Sequence, residues 1–144
     1  MKFVIKNIIN EEDKNFLPSG VVKLKHYREK DNNNAVLNRI LNAIQDFFPY
    51  ELGDESYCKL ESTKSGGHSW HTDTGSNNHM PWCKLGGSIL LKKSESGGLL
   101  KYRHGEIVEV IEDRKLFDLY LHTSDVEHMI TPITGERIVF LLFI

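Results

Sequence analysis

The chain has 144 residues, 40% of them hydrophobic and 26% charged, with 18 lysines and arginines against 20 acidic residues. That length suits one hydrophobic core and is short for two ordinary domains, and the near-balanced charge gives no reason to expect nonspecific nucleic-acid binding. There is no apolar run near the roughly 20 residues of a membrane helix and no long apolar stretch after Met1 of the signal-peptide kind, and Cys58 and Cys83 form neither a disulfide framework nor a C-x-x-C pair, so a cytoplasmic protein with reduced cysteines is expected.

In chain order, segments 2–6 and 20–26 read as β-like. Leu37, Ile40, Leu41, Ile44, Phe47 and Phe48 then recur every three or four residues, which predicts a helix over about 34–48 with one apolar side. Asn32, Asn33 or Asn34 can cap its start and Pro49 ends it. From about residue 55 the pattern changes to short apolar runs: 56–63, 68–73, 83–92, 98–103, 106–111, 116–121, 127–131 and 136–143. Turn formers separate them at Ser65-Gly66-Gly67, Gly75-Ser76-Asn77-Asn78, Ser96-Gly97-Gly98, His104-Gly105 and Thr134-Gly135. The expected architecture is mainly β: a double-stranded β-helix, or cupin-like jelly roll, over about 55–144. An N-terminal β/α support over about 1–54 lays its helix on one sheet, the whole forming a single domain over 1–144.

Histidines occur at positions 26, 68, 71, 79, 104, 122 and 128, and a lone histidine carries little information. His71-Thr72-Asp73 is different, because residues i and i+2 of a strand share a face and bring an imidazole beside a carboxylate. Such a pair needs a third ligand, and His128 lies in a β-like run that a jelly roll can bring opposite. Two histidines and one carboxylate on one side of an octahedron leave adjacent positions open, the facial triad of non-haem Fe(II) oxygenases. H-x-D alone is weak evidence, since such triplets arise by chance. The last segment, Gly135 to Ile144, strengthens it: Arg137 opens an otherwise apolar strand that must be buried on both faces, and a buried guanidinium requires an anion. Its partner is either a structural carboxylate, with Asp118, Asp125 and Glu127 as candidates, or a ligand carboxylate gripped by the planar fork.

These elements together, Trp70-His71-Thr72-Asp73, then Gly97-Gly98-Leu99-Leu100, then Glu127-His128 through Thr131-Pro132-Ile133-Thr134-Gly135-Glu136-Arg137, resemble the 2-oxoglutarate/Fe(II) oxygenase superfamily, especially its prolyl-4-hydroxylase-like branch. The resemblance covers roughly residues 55–144. It implies His71, Asp73 and His128 as iron ligands and Arg137 as the partner of the distal carboxylate of 2-oxoglutarate. It also implies Fe(II), 2-oxoglutarate and O2 as cofactor and cosubstrates, with ascorbate as a further candidate, and hydroxylation of a substrate with release of succinate and CO2. A carboxylate ligand at Asp73 favours hydroxylation over halogenation. Two departures stand out. The tyrosine that many relatives carry shortly before H-x-D is absent from Glu61-Ser62-Thr63-Lys64, and the interval from His128 to Arg137 is one residue shorter than the commonest form. Tyr57, Lys59, Lys84 and Tyr102 are candidates for the missing cosubstrate contact, with ordinary strand positions the plainer reading of each.

The other residues read as follows. His68, three before His71, falls on the opposite face of an ideal strand and is expected to face solvent, or at most the mouth of a site. Trp70 and Trp82 are expected to pack, and His79 and Asn77, in the loop 74–81, are candidate substrate contacts. His122 and Asp125 form a rival metal pair with His128. The rival functions are a metal cupin that makes no use of 2-oxoglutarate and a β-sandwich binding module with incidental histidines. The substrate class leans to a prolyl or other peptidyl group or a small molecule.

Overall fold

The computed structural model describes residues 1–30, 34–74 and 79–144. Among these, ten strands form two sheets: β1 (Lys2–Ile5), β2 (Val21–Lys23), β3 (Tyr57–Thr63), β4 (Gly66–His71), β5 (Leu85–Lys92), β6 (Leu100–His104), β7 (Ile107–Ile111), β8 (Leu119–Thr123), β9 (Glu127–Ile133) and β10 (Arg137–Phe143). The larger sheet runs β1-β8-β5-β10-β3-β2, the smaller β4-β9-β6-β7, and their strands pair antiparallel. Two facing antiparallel sheets with this alternation of strands between them make the expected jelly roll.

The helix expected over 34–48 is α2 (Ala35–Phe47) once a shorter helix, α1 (Leu24–Lys30), is counted. Asn34 caps it: its side chain accepts the Leu37 N–H and so satisfies one of the amides that a helix start leaves open. Asn32 and Asn33, the other two candidates, lie outside the described residues. Val36, Leu37, Ile40, Leu41 and Ile44 are buried. They join Ile89, Leu119, Leu121, Phe140 and Leu142 of the larger sheet in one core cluster. At about 1.5–3 kcal/mol per buried aliphatic side chain, this face is what holds the helix to the sheet.

The β-like segment 20–26 is corrected. Only Val21–Lys23 is strand, paired with β3, and the chain turns helical at Leu24. Leu24 and Tyr27, spaced three apart, both pack on the core while the residues between them are polar, which is helical and not alternating periodicity.

Strand β10 lies between β5 and β3, and its residues alternate between two interiors. Phe140, Leu142 and Ile144 enter the core beneath α2. Arg137, Val139, Leu141 and Phe143 face the space between the sheets and line a cavity there. Both faces are covered, as the unbroken apolar run requires. Among the described residues no helix is long and apolar enough to cross a membrane.

Candidate metal centre

His71 and His128 stand directly opposite one another in the pairing of β4 with β9, with ring centroids 4.3 Å apart. Each ring is oriented by a backbone carbonyl two residues earlier in its own chain: His71 Nδ1 is 2.6 Å from Ser69 O and His128 Nδ1 is 2.9 Å from Val126 O. A carbonyl can only accept, so Nδ1 carries the proton in both rings and Nε2 is left for a metal.

The strand expected over 68–73 stops at His71, so Asp73 does not reach its place by strand alternation. The chain bends after β4 and carries the carboxylate between the sheets, where Asp73 is 3% exposed. Its Oδ1 lies 3.4 Å from His128 Nε2 and its Oδ2 accepts the Nε2–H of His122 at 2.6 Å. Gly86 makes room for it. A Cβ on that residue would sit 1.9 Å from Asp73 Oδ2 and 2.7 Å from His122 Nε2. Glycine inside an apolar strand often marks such a close approach, and this signal in Leu85-Gly86-Gly87 went unread in the sequence. One donor atom from each of His71, Asp73 and His128 falls within 4.8 Å of the others, near enough to share a single ion.

The rival pairing of His122 with Asp125 does not form. Asp125 is exposed and accepts from Thr123 Oγ1 at 2.6 Å. His122 instead faces Gly86 across the β5–β8 ladder and fixes the Asp73 oxygen that His128 does not approach. Burial opposes the charge on Asp73, but the hydrogen bonds from His122 and His128 outweigh it and hold the carboxyl well below its ordinary 3.8. Burial lowers His122 and His71, which stay neutral near pH 7. For His128 burial acts downward too, yet the contact with Asp73 prevails and its pKa lies above the ordinary 6.5.

His68 departs from the strand-parity expectation. The register shifts between His68 and His71, so three residues of β4 span two of β9. This bulge turns His68 to the same side as His71, and it lines the cavity mouth with Nε2 3.3 Å from Glu61 Oε1. Trp70 points away from the site, under the Arg103 guanidinium at 4.4 Å. Trp82 packs on Tyr57, with ring centroids 6.0 Å apart. His79 borders the cavity, whereas Asn77 and the turn Gly75-Ser76-Asn77-Asn78 lie outside the described residues.

The cavity has a volume of about 230 Å³, with the histidines and Asp73 at one place on its wall and Arg137 at another. Arg137 is 6% exposed, and among the described residues it makes no ion pair or hydrogen bond, its Nε being a buried donor without an acceptor. The three structural carboxylates considered for it are engaged elsewhere: Asp118 accepts the Asn7 N–H, Asp125 is bonded to Thr123, and Glu127 pairs with Arg103. Burial lowers the Arg137 pKa and the charge of Glu61 acts against that, but Glu61 itself is held by Lys59 at 3.0 Å and by His68. The glycine turn seen in the sequence serves this arginine: Gly98 has φ +72°, and a Cβ there would come 3.2 Å from Arg137 Cδ.

No protein-family model matches the chain, and neither does any curated protein sequence. Solved structures do match. A prolyl-4-hydroxylase from Pseudomonas putida superposes with a TM-score of 0.66 at 15% identity, over 99% of this chain and 83% of that one. A prolyl hydroxylase from Trichoplax adhaerens, in complex with a hypoxia inducible factor oxygen degradation domain peptide fragment, gives 0.67 at 14%, over 99% and 82%. An oxidoreductase of the 2OG-Fe(II) oxygenase family from Burkholderia pseudomallei gives 0.59 at 18%, over 75% of this chain and 54% of that protein, so the chain spans about half its length. The chain therefore has the fold of the prolyl-4-hydroxylase-like 2-oxoglutarate/Fe(II) oxygenases, in agreement with its motif order.

Proposed function

We propose that this chain is a single-domain Fe(II)- and 2-oxoglutarate-dependent oxygenase that hydroxylates its substrate, with its support segment at about 1–54 and its jelly-roll core at about 55–144. One observation carries the reading: a buried arginine without an anion partner among the described residues shares a cavity with a His-Asp-His cluster. The donor set suits Fe(II), being two imidazoles and one carboxylate with space on the cavity side, and the buried guanidinium suits a dicarboxylate.

Iron and 2-oxoglutarate, when bound, supply O2-dependent oxidation of a C–H bond, with succinate and CO2 as by-products. The protein's residues have simpler tasks. His71 and His128 present Nε2, and Asp73 presents the oxygen that His122 leaves free. Arg137 fixes the far carboxylate of the cosubstrate and so sets its orientation in the cavity. Val139, Leu141 and Tyr102 wall the cavity with apolar surface that keeps bulk water out. A peptidyl substrate fits this reading best, because the Trichoplax relative was solved with a peptide bound. Such a substrate would approach past His68 and His79 at the cavity's edge.

The test adds 2-oxoglutarate anaerobically to the Fe(II)-loaded protein and looks for the visible charge-transfer absorption of a chelated 2-oxo acid. Wild type should develop the band, Asp73→Ala should lose it, and Arg137→Ala should need far more cosubstrate to reach it. Iron binding without a band at any cosubstrate concentration would leave a metal cupin of another kind.

A further inference from the structure

The usual tyrosine contact to the cosubstrate is missing, and the four residues considered for its place fall short. Lys59 is paired with Glu61, and Lys84 borders a different groove. The Tyr57 hydroxyl donates to Met80 Sδ at 3.6 Å. Tyr102 sits directly opposite His128 in the β6–β9 ladder, beside the metal ligands and away from Arg137.

Strand β5 offers a fifth group. Ser88 is the single hydroxyl within its apolar stretch Leu85 to Leu91, and it borders the cavity two residues beyond Gly86. The ladder with β10 orders these levels: Gly86 faces Phe143, Ser88 faces Leu141, and Lys92 faces Ile138, next to Arg137. Ser88 thus stands on the way from the metal ligands to the arginine.

Arg114, in the connection from β7 to β8, donates through Nη2 to both Ser88 O at 2.9 Å and Ser88 Oγ at 2.7 Å. With Oγ already accepting, the hydroxyl proton of Ser88 is free to be given away, and it has no acceptor among the described residues. Arg114 is 5% exposed, its Nε and Nη1 are buried without partners among the described residues, and its guanidinium lies over the Tyr120 ring at 4.7 Å. No carboxylate comes within ion-pairing distance of it among the described residues. Burial, followed by repulsion from Arg137, pushes its pKa down to about 10, while Tyr102, Tyr120 and Asp118 act against this. Arg114 does not itself line the cavity, so its direct route to a bound anion runs through Ser88, whereas Arg137 lines the cavity in its own right.

We infer that the Ser88 hydroxyl, set in place by Arg114, is the second contact to the distal carboxylate of the cosubstrate, standing where relatives use tyrosine. The inference rests on the 2-oxoglutarate reading above. Ser88 is the binding group and Arg114 a positioning residue that acts through it. A hydrogen bond to a charged carboxylate in such a place changes affinity by roughly tenfold to a hundredfold.

The experiment titrates the full chain, loaded anaerobically with Co(II), with 2-oxoglutarate and separately with 2-oxobutyrate, which has the chelating end but no distal carboxylate. Calorimetry reads both dissociation constants, and a melting curve without ligand checks that each variant folds. Ser88→Ala should weaken 2-oxoglutarate by at least about tenfold and leave 2-oxobutyrate unchanged, and Ser88→Thr should restore the difference. Arg114→Gln should weaken 2-oxoglutarate in the wild-type background and add little to Ser88→Ala. If Ser88→Ala stays within about twofold of wild type while Arg137→Ala loses the diacid, this inference falls and the oxygenase reading stands. Equal losses for both ligands would mean that Ser88 and Arg114 only brace the wall, which also overturns it. If wild type does not bind 2-oxoglutarate at all, both readings fall.

Discussion

Gly86→Ala acts on the Asp73 carboxylate and on His122, the ring that orients it. Gly86 does not adopt a positive φ, so alanine brings no backbone strain, and the added methyl acts only by occupying space. That methyl would lie 1.9 Å from Asp73 Oδ2, where ordinary contact begins near 3.4 Å. The carboxylate must therefore retreat by about 1.5 Å, more than the roughly 0.5 Å within which a preorganised site must hold its groups. It must also give up the His122 hydrogen bond, since the same methyl is 2.7 Å from Nε2. Loss of the partner that orients a ligand costs about 10–100-fold in metal affinity, and displacement of the ligand itself belongs at the upper end of that range. Anaerobic calorimetric titration with Fe(II) or Co(II) should show at least that loss, with a melting curve that remains cooperative. Metal affinity equal to wild type would refute the assignment of Asp73 as a ligand in this geometry.

Three further outcomes are expected. His122→Phe keeps the bulk of the ring but frees the Asp73 oxygen, and metal affinity should fall by about 10–100-fold, as for other groups that orient a ligand; an unchanged affinity would make His122 mere packing. Metal binding should weaken with acidity, because His128 titrates above 6.5 and must shed its Nε2 proton before it can ligate. Affinity should be level well above that titration and decline by up to about tenfold per pH unit below it, with His71 and His122 adding nothing until lower pH. A flat profile in Mn(II) titrations between about pH 6 and 8 would contradict the Asp73–His128 coupling. Phe140 is fully buried beneath α2, so Phe140→Ala should cost about 3–5 kcal/mol of stability by urea denaturation.

The elements that local periodicity governs were legible in the chain. The stripe from Leu37 to Ile44 defined α2, and the apolar runs anticipated eight of the strands to within a few residues at each end. What was not legible depends on the partner strand. Nothing in Gly67-His68-Ser69-Trp70 announces a bulge, since the extra residue is defined only against β9, and that bulge decides which way His68 points. The pairing that sets His122 opposite Gly86 likewise joins positions far apart in sequence. The H-x-D motif pointed to the right neighbourhood through a different geometry: Asp73 joins the histidines by a bend past the strand end and not by sharing a strand face. For Arg137, the need for an anion followed from burial alone, while the choice between a protein and a ligand carboxylate required knowing where Asp118, Asp125 and Glu127 had gone.

The alternation of β10 separates two kinds of selection on one strand. Its even-numbered residues answer to α2 and the core, its odd-numbered ones to whatever fills the cavity. A lineage can thus retune its cosubstrate or substrate at 137, 139, 141 and 143 without renegotiating the packing of the helix, and can drift in its core at 140 and 142 without disturbing its chemistry. Insertion of one residue ahead of the strand would exchange the two sets at once, so this segment should tolerate substitution far better than any change of length.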